Sequence, residues 1–145
     1  MRTVSFTLTL LFLAAFPGLA DDRTDQDAIR KTLSNYVLSG DLRDAELAGK
    51  ALHPRAVQFF HTGEGVRAVD RDQYQALLTK GEIGGQNRQF EVPNLELYRN
   101  TALARLVITS DTMIFSNYVT LMKEGGAWKI VSVTIHLSPN TAAKH

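Results

Sequence analysis

The chain has 145 residues, of which 44% are hydrophobic, 21% charged and 8% aromatic, a balance typical of one compact globular domain. It contains no cysteine, which excludes a disulfide framework, a thiolate zinc site and a cysteine nucleophile. The net charge of +1 is far below the basic excess with which nucleic-acid-binding proteins neutralise phosphates, so we expect no nucleic-acid partner.

The first twenty residues have the order of a secretory signal peptide. Arg2 is followed by the apolar run Phe6 to Phe16, and the small residues up to Ala20 form a cleavage pattern. This run is shorter than the roughly 20 residues that span a bilayer, so we expect no membrane association once residues 1–20 are removed. The sequence therefore predicts a secreted or periplasmic protein whose single domain comprises residues 21–145.

Two helices are predicted at the start of this domain. Apolar residues recur at helical spacing between Asp21 and Leu38, and Gly40 is suited to end this first helix. We expect a second, short helix to begin at Asp41 and to end before Pro54, because the residue before proline avoids helical geometry. His53 is then interpreted as a cation at the end of this helix, where it complements the helix dipole.

A hairpin, a third helix and four long strands are predicted next. The hairpin comprises residues 56–62 and 66–69, and Asp70 is expected to cap a helix over residues 71–80. A glycine-rich loop follows this helix. Pro93 must lie at a sheet edge or a bulge, since it cannot donate a hydrogen bond to a neighbouring strand. The remaining strands are predicted at about residues 88–98, 103–110, 112–123 and 128–138.

Helices first and antiparallel strands later, with short connections, are typical of an α+β domain. We expect the helices to cover one face of a strongly curved, mostly antiparallel sheet, giving a cone whose open end suits a small-molecule pocket. By alternation, Trp128 and Ile130 share one face of the last strand, whereas Val131 and Val133 share the other. One helix layer covers only one of these apolar faces, so a homodimer through the sheet is predicted.

Several separated motifs resemble the nuclear transport factor 2-like superfamily. The stretch from Tyr36 to Asp41, followed by Leu52 to Pro54, is similar to the first half of its SnoaL-like and lumazine-binding branch. Ser116 to Lys123 and Gly126 to Val131 are similar to the closing hairpin of that branch. The resemblance implies a cone-shaped, cystatin-like fold, on which the superfamily carries isomerases, dehydratases, cyclases and binding modules. Asn117 replaces the usual aspartate and cannot exchange a proton as a carboxylate does.

Three tyrosines are candidate ligand-binding residues. Tyr36 lies on the first helix, Tyr74 on the third helix and Tyr118 on the closing hairpin. Each combines an apolar ring with a hydroxyl group, which suits the wall of an apolar cavity that presents a polar group to a ligand. Each is also explained as an ordinary core residue with a polar tip.

Two histidines complete the set of candidate ligand-binding residues. His61 shares a strand face with Val57 and Phe59, and we expect this face to lie under the helices, where the imidazole would act as an acid or base. His136 lies on the last strand, and the sequence does not decide whether its face meets the helices or the outside.

The sequence predicts no metal and no cofactor. Its histidines show no metal-ligand spacing, and it has neither a glycine-rich phosphate loop nor a nucleophile elbow. We therefore expect a secreted protein that binds a small apolar or aromatic molecule inside the cone. The alternative is an isomerase, dehydratase or cyclase that uses a cavity histidine and a tyrosine for acid–base chemistry. No catalytic residue is assigned at this stage.

Overall fold

The computed structural model describes residues 17–62 and 64–142, which form three helices and six strands. Most of the predicted signal segment therefore lies outside the described residues. The helices are α1 (Pro17–Leu42), α2 (Ala45–Ala51) and α3 (Arg71–Thr79). The strands are β1 (Leu52–Thr62), β2 (Gly65–Asp70), β3 (Gln89–Tyr98), β4 (Thr101–Thr109), β5 (Met113–Glu124) and β6 (Ala127–Pro139).

The strands form one curved sheet in the order β2-β1-β6-β5-β4-β3, with the helices packed against one face. Every neighbouring pair is antiparallel except β1 and β6, which run parallel. The predicted α+β fold, with helices on a mostly antiparallel curved sheet, is confirmed. We call the face under the helices the inner face and the opposite one the outer face.

The first helix is longer than predicted, because it continues through Gly40 to Leu42. A Cβ atom at Gly40 would lie 2.4 Å from Nη2 of Arg88 and 3.2 Å from the hydroxyl of Tyr74, so close packing explains this glycine. The helix ends instead where Arg43 adopts a left-handed conformation with φ of 54°, a position that glycine usually takes.

The second helix begins later than predicted, at Ala45 rather than at Asp41. Its N-cap is Asp44, whose carboxylate accepts a hydrogen bond of 2.9 Å from the backbone N–H of Leu47. Asp41 lies inside α1. His53 does not end a helix but lies on β1, where its Nε2 is 3.3 Å from the carboxylate of Glu124.

Local signals in the middle of the chain are confirmed. Asp70 caps α3 in a reciprocal capping box, in which its side chain and that of Gln73 each bind the other residue's backbone N–H. Pro93 lies on β3, which is an edge strand, at an irregularity between Glu91 and Asn94. Both features that tolerate a proline, an edge and a bulge, are therefore present.

The inner face of β6 differs from the alternation read in the sequence. Trp128 and Ile130 are buried, and so is Val133, which simple alternation places on the opposite face. A β-bulge explains this, because Thr120 of β5 pairs with Ser132 while the next residue pairs with Ile130, which leaves Val131 unpaired. The extra residue shifts the alternation by one, so both halves of β6 bury their large apolar groups.

The inner face of β1 also differs from the expectation. Gln58 is buried and pairs with the buried Val133, whereas Phe59 is partly exposed on the outer face. His61 is exposed on that outer face too. The expectation that Phe59 and His61 lie under the helices is wrong, because alternation defines two faces without saying which one is covered.

The hydrophobic core lies between α1 and the inner face of the sheet. Ile29 and Leu33 of α1 are fully buried and belong to the same cluster as Trp128 and Ile130. Asp25 links α1 to β5 and β6 near the beginning of the core. Its carboxylate accepts hydrogen bonds from Nζ of Lys123 at 2.7 Å and from Nε1 of Trp128 at 2.9 Å. These bonds lower the pKa of the Asp25 carboxyl, with the Lys123 bond as the largest cause.

Candidate ligand-binding site

A cavity of about 450 Å³ lies between the inner face of the sheet, the helices α1 and α3, and the loop that joins α3 to β3. This volume lies within the range of small-molecule pockets. Most of the wall is apolar or aromatic, with contributions from Val37, Phe60, Ile108, Phe115, Ile135 and Leu137. Such a surface favours an apolar or aromatic occupant.

Two buried polar groups in this wall lack partners. Gln58 and Asn117 are 3% and 1% exposed, and both side chains line the cavity. Among the described residues, neither Nε2 of Gln58 nor Oδ1 of Asn117 has a hydrogen-bond partner. Leaving such a group unsatisfied costs about 1–3 kcal/mol, a cost that a hydrogen-bonding partner bound in the cavity would offset.

The phenols of Tyr36 and Tyr74 lie side by side in the cavity wall, with ring centroids 6.0 Å apart. The hydroxyl of Tyr36 donates a 2.6 Å hydrogen bond to Oε1 of Gln58. Burial raises the pKa of Tyr36 well above its usual range, and burial also raises the pKa of Tyr74. Both phenols therefore remain protonated near neutral pH and serve as hydrogen-bond donors.

A buried ion pair borders the same cavity. Nε of Arg88 donates to Oδ1 of Asp41 at 2.5 Å, and the two side chains are only 12% and 9% exposed. Nη2 of Arg88 donates to the backbone carbonyl of Val37 at 3.1 Å, near the C-terminal end of α1, where a cation is favoured. The guanidinium also lies 5.6 Å from the centroid of the Phe115 ring. These contacts hold Arg88 in the wall.

The loop between α3 and β3 is fastened to the end of α1. The backbone N–H of Gly85 donates to the carbonyl of Gly40 at 3.0 Å, and Nε of Arg43 donates to the carbonyl of Ile83 at 3.2 Å. Gly84 has a φ of +76°, and a Cβ there would lie 2.1 Å from the Gly40 carbonyl oxygen. Only glycine fits this approach, which brings the loop close enough to close the cavity wall.

The structure brings two of the five candidate site residues into the cavity. Tyr36 and Tyr74 line it, whereas Tyr118 is 59% exposed on the outer face of β5. His61 and His136 are also exposed and do not line it. For His136 the cause is the bulge in β6, which turns its half of the strand so that Ile135 and Leu137 face inward.

Five polar residues of the wall are not among the site residues predicted from the sequence: Gln58, Glu82, Gln86, Arg88 and Asn117. The sequence marks Asn117 only as the replacement of a carboxylate. A weak signal existed for Gln58, which interrupts a strand of apolar residues between Val57 and Phe59. No local signal marks Arg88, because its partner Asp41 lies 47 positions earlier in the chain.

Neither a metal cluster nor a membrane-spanning helix is found in the part of the chain that the structure describes. No group of three histidine, aspartate or glutamate side chains there could hold a metal ion. None of the helices among those residues is long and apolar enough to cross a bilayer.

Three helices on the inner face of a curved six-stranded sheet, with a cavity between the layers, define an α+β domain of the NTF2-like and cystatin-like type. Residues 24–136 match the family model described as "Putative lumazine-binding". The chain belongs to this family within the NTF2-like superfamily. A comparison with curated proteins finds no match.

Solved structures show the same fold. An NTF2-like protein of unknown function from Silicibacter pomeroyi has a TM-score of 0.73 at 15% identity, covering 81% of this chain and 98% of its own. One from Shewanella baltica has a TM-score of 0.73 at 18% identity, covering 81% and 97%. One from Methylobacillus flagellatus has a TM-score of 0.69 at 25% identity, covering 79% and 93%.

Proposed function

We propose that the protein binds a small, mostly apolar ring compound in its cavity. The family description, "Putative lumazine-binding", names a flat heteroaromatic ring compound, and the aromatic side chains of the cavity wall suit a flat ring. The observation that carries the proposal is the pair of unpartnered atoms, Nε2 of Gln58 and Oδ1 of Asn117. A protein that kept this space only as a packing defect would gain stability by replacing both groups with apolar ones.

Acid–base catalysis by a cavity histidine has less support. His61 and His136 are exposed on the outer face, and the titratable side chains that line the cavity are Tyr36, Tyr74, Glu82 and Arg88. The two phenols are poor bases because they remain protonated. The remaining candidate base, the carboxylate of Glu82, belongs to an exposed loop residue, so ligand binding accounts for the buried part of the site more fully than proton transfer does.

Protein-observed NMR with aromatic fragments tests the proposal. Fragments that occupy the cavity should shift the backbone amide signals of Gln58, Asn117 and Ile135. Ile135→Phe narrows the cavity and should weaken these fragments at least tenfold. His136→Phe adds an aromatic ring to the adjacent residue on the outer face and should leave their affinity unchanged. Equal weakening by both variants, or shifts confined to the outer face, would contradict the proposal.

We also propose export from the cytoplasm with removal of residues 1–20. The support is the sequence pattern of a charged start, an apolar run and small residues up to Ala20. Mass spectrometry of the protein purified from periplasm or culture medium should find Asp21 as its first residue. A mature species that begins at Met1 would contradict this proposal.

A homodimer through the outer face is the third part of the proposal. Leu103, Tyr118 and Met122 are exposed there on neighbouring strands. Glu96 and Arg105 border the same patch, so a two-fold axis that passes between them would pair Glu96 of one copy with Arg105 of the other. Sedimentation should show a dimer at tens of micromolar, roughly the range of moderate association. Tyr118→Glu should dissociate it, and a monomeric parent protein would overturn the idea.

A further inference from the structure

We propose that the cavity selects ring compounds with a hydrogen-bond acceptor on one edge and a hydrogen-bond donor on the opposite edge. Gln58 donates a hydrogen bond to the ligand's acceptor, and Asn117 accepts one from the ligand's donor. The Tyr36 hydroxyl fixes the orientation of the Gln58 side chain. This inference rests on the proposed function and adds the chemical class of the ligand to it.

The polarity of Gln58 is determined by Tyr36. The Tyr36 hydroxyl is buried and donates to Oε1 of Gln58, which is its one hydrogen-bond partner among the described residues. If the carboxamide turned over, its N–H₂ group would face the phenol oxygen and the phenol hydrogen would have no acceptor. The phenol therefore keeps Oε1 toward itself, and Nε2 remains available to donate to a ligand.

Asn117 has the opposite polarity. Its Oδ1 is the buried atom without a partner, so it is available to accept a hydrogen bond from a ligand. Asn117 faces inward between Leu106 of β4 and Ile135 of β6, its neighbours across the sheet. Because the side chains of these neighbours are apolar, neither can donate a hydrogen bond to this oxygen. The oxygen can therefore accept one from an N–H or O–H group in the cavity.

The two carboxamides approach the cavity from strands on opposite sides of β6. Gln58 lies on β1 and Asn117 on β5, with β6 between them, which separates the strands by ~10 Å. A ring that lies over β6 between the two carboxamides therefore meets Gln58 along one edge and Asn117 along the opposite edge. Phe60 and Phe115 line the same cavity and suit a flat ring.

Four probes of nearly equal shape test this inference. 4-Hydroxyacetophenone carries a carbonyl acceptor opposite a hydroxyl donor. 4-Methoxyacetophenone lacks the hydroxyl donor, 4-ethylphenol lacks the carbonyl acceptor, and 4-ethylanisole lacks both of these groups. Dissociation constants are measured by NMR titration. We expect 4-hydroxyacetophenone to bind about tenfold more tightly than either single-deletion probe, the size of one hydrogen bond to a buried unsatisfied group.

Variants assign each preference to its residue. Asn117→Leu should abolish the preference for hydroxyl over methoxy and keep the preference for carbonyl over ethyl. Tyr36→Phe with Gln58→Met should do the reverse, and the paired change avoids leaving the phenol without an acceptor. Tyr36→Phe alone frees the Gln58 carboxamide to turn over, so it should weaken the carbonyl preference several-fold while the hydroxyl preference persists. A structural role for Tyr36 would instead weaken all four probes equally.

The outcomes separate this inference from the function on which it rests. If all four probes bind in the cavity with equal affinity, or if the variants leave the preferences unchanged, the inference is wrong and cavity binding stands. If none of the probes shifts the cavity signals, the proposed function fails together with the inference. Thermal unfolding of each variant checks that folding is intact. An unfolded Asn117→Leu would be replaced by Asn117→Ala, which removes the same carbonyl acceptor without adding a hydroxyl.

Discussion

The two ends of α1 pack against the same sheet in different ways. Toward its N-terminus, Ile29 and Leu33 are fully buried against the cluster that contains Trp128 and Ile130. Their side chains carry no polar atom that would need a hydrogen-bond partner. Toward its C-terminus, Tyr36 and the segment around Gly40 face a cavity bordered by amides and an ion pair. We call the part of α1 around Ile29 and Leu33 its closed end and the part from Tyr36 to Leu42 its open end. The comparison teaches that one helix can supply stability at the closed end and ligand recognition at the open end.

The largest effect is expected at the open end, from Asp41→Ala. This change leaves the buried Arg88 guanidinium without its carboxylate and should lower the free energy of unfolding by about 3–5 kcal/mol. Asp44→Ala removes only the N-cap of α2 and should cost about 1 kcal/mol. Urea denaturation measures both. The double variant Asp41→Leu with Arg88→Met should recover most of the lost unfolding free energy. Equal losses for Asp41→Ala and Asp44→Ala would contradict this prediction.

At the closed end, Leu33→Ala should lower the free energy of unfolding by about 3 kcal/mol because it leaves a cavity in the core. Leu38→Ala, on the exposed side of the same helix, should cost much less. Leu33 does not line the cavity, although it lies one helical turn from Tyr36 and Val37, so ligand affinity of the folded Leu33→Ala protein should change little. A binding titration at low temperature checks this, and a large loss of affinity would show that the two ends are coupled.

Glycine substitutions compare the loop at the open end with a hairpin elsewhere. Gly84→Ala and Gly125→Ala both place a side chain at positive φ, but only the first brings its Cβ within 2.1 Å of a backbone oxygen. Gly125→Ala meets no atom within 4 Å. The difference between their unfolding free energies isolates the steric contact, and we expect Gly84→Ala to cost about 1–3 kcal/mol more. Equal costs would mean that the loop does not depend on this approach.

The smallest effect concerns the Asp25 anchor at the closed end and its dependence on pH. Its pKa is lowered in the folded protein, so its stabilising contribution is present above its ordinary value of 3.8 and is lost as the pH falls through the lower folded value. Asp25→Asn should cost about 1 kcal/mol at pH 7 and progressively less below pH ~4. Asp22→Asn in the same helix is the control. A cost that is independent of pH would refute the linkage.

Local sequence signals predicted the elements well and predicted the site less well. The capping box at Asp70 and the proline on an edge strand are determined by neighbouring residues, and both were found. The end of α1 was missed because Gly40 is explained by a contact with Arg88, far away in the sequence. Fold class followed from the order of helices and strands, which does not depend on such distant contacts.

The same distinction explains the misplaced histidines. Alternation correctly separates His61 from Gln58, but deciding which face is covered requires knowledge of how the helices pack. In β6 the bulge at Val131 changes the alternation itself, and its position is visible only in the pairing with β5. The unpartnered atoms of Gln58 and Asn117 are likewise properties of the assembled cavity, so no local pattern could have revealed them.

The parallel pairing of β1 with β6 has a consequence for folding kinetics. Gln58 pairs with Val133 across 75 positions of the chain, whereas β3 to β6 follow one another as consecutive antiparallel neighbours. Since distant pairings form more slowly than local ones, we expect the β3 to β6 meander to form first and β1 to join it late. The side chain of Gln58 then joins Asn117 in the cavity wall only in the last stage of folding. A ligand that needs both residues should therefore slow unfolding without accelerating folding.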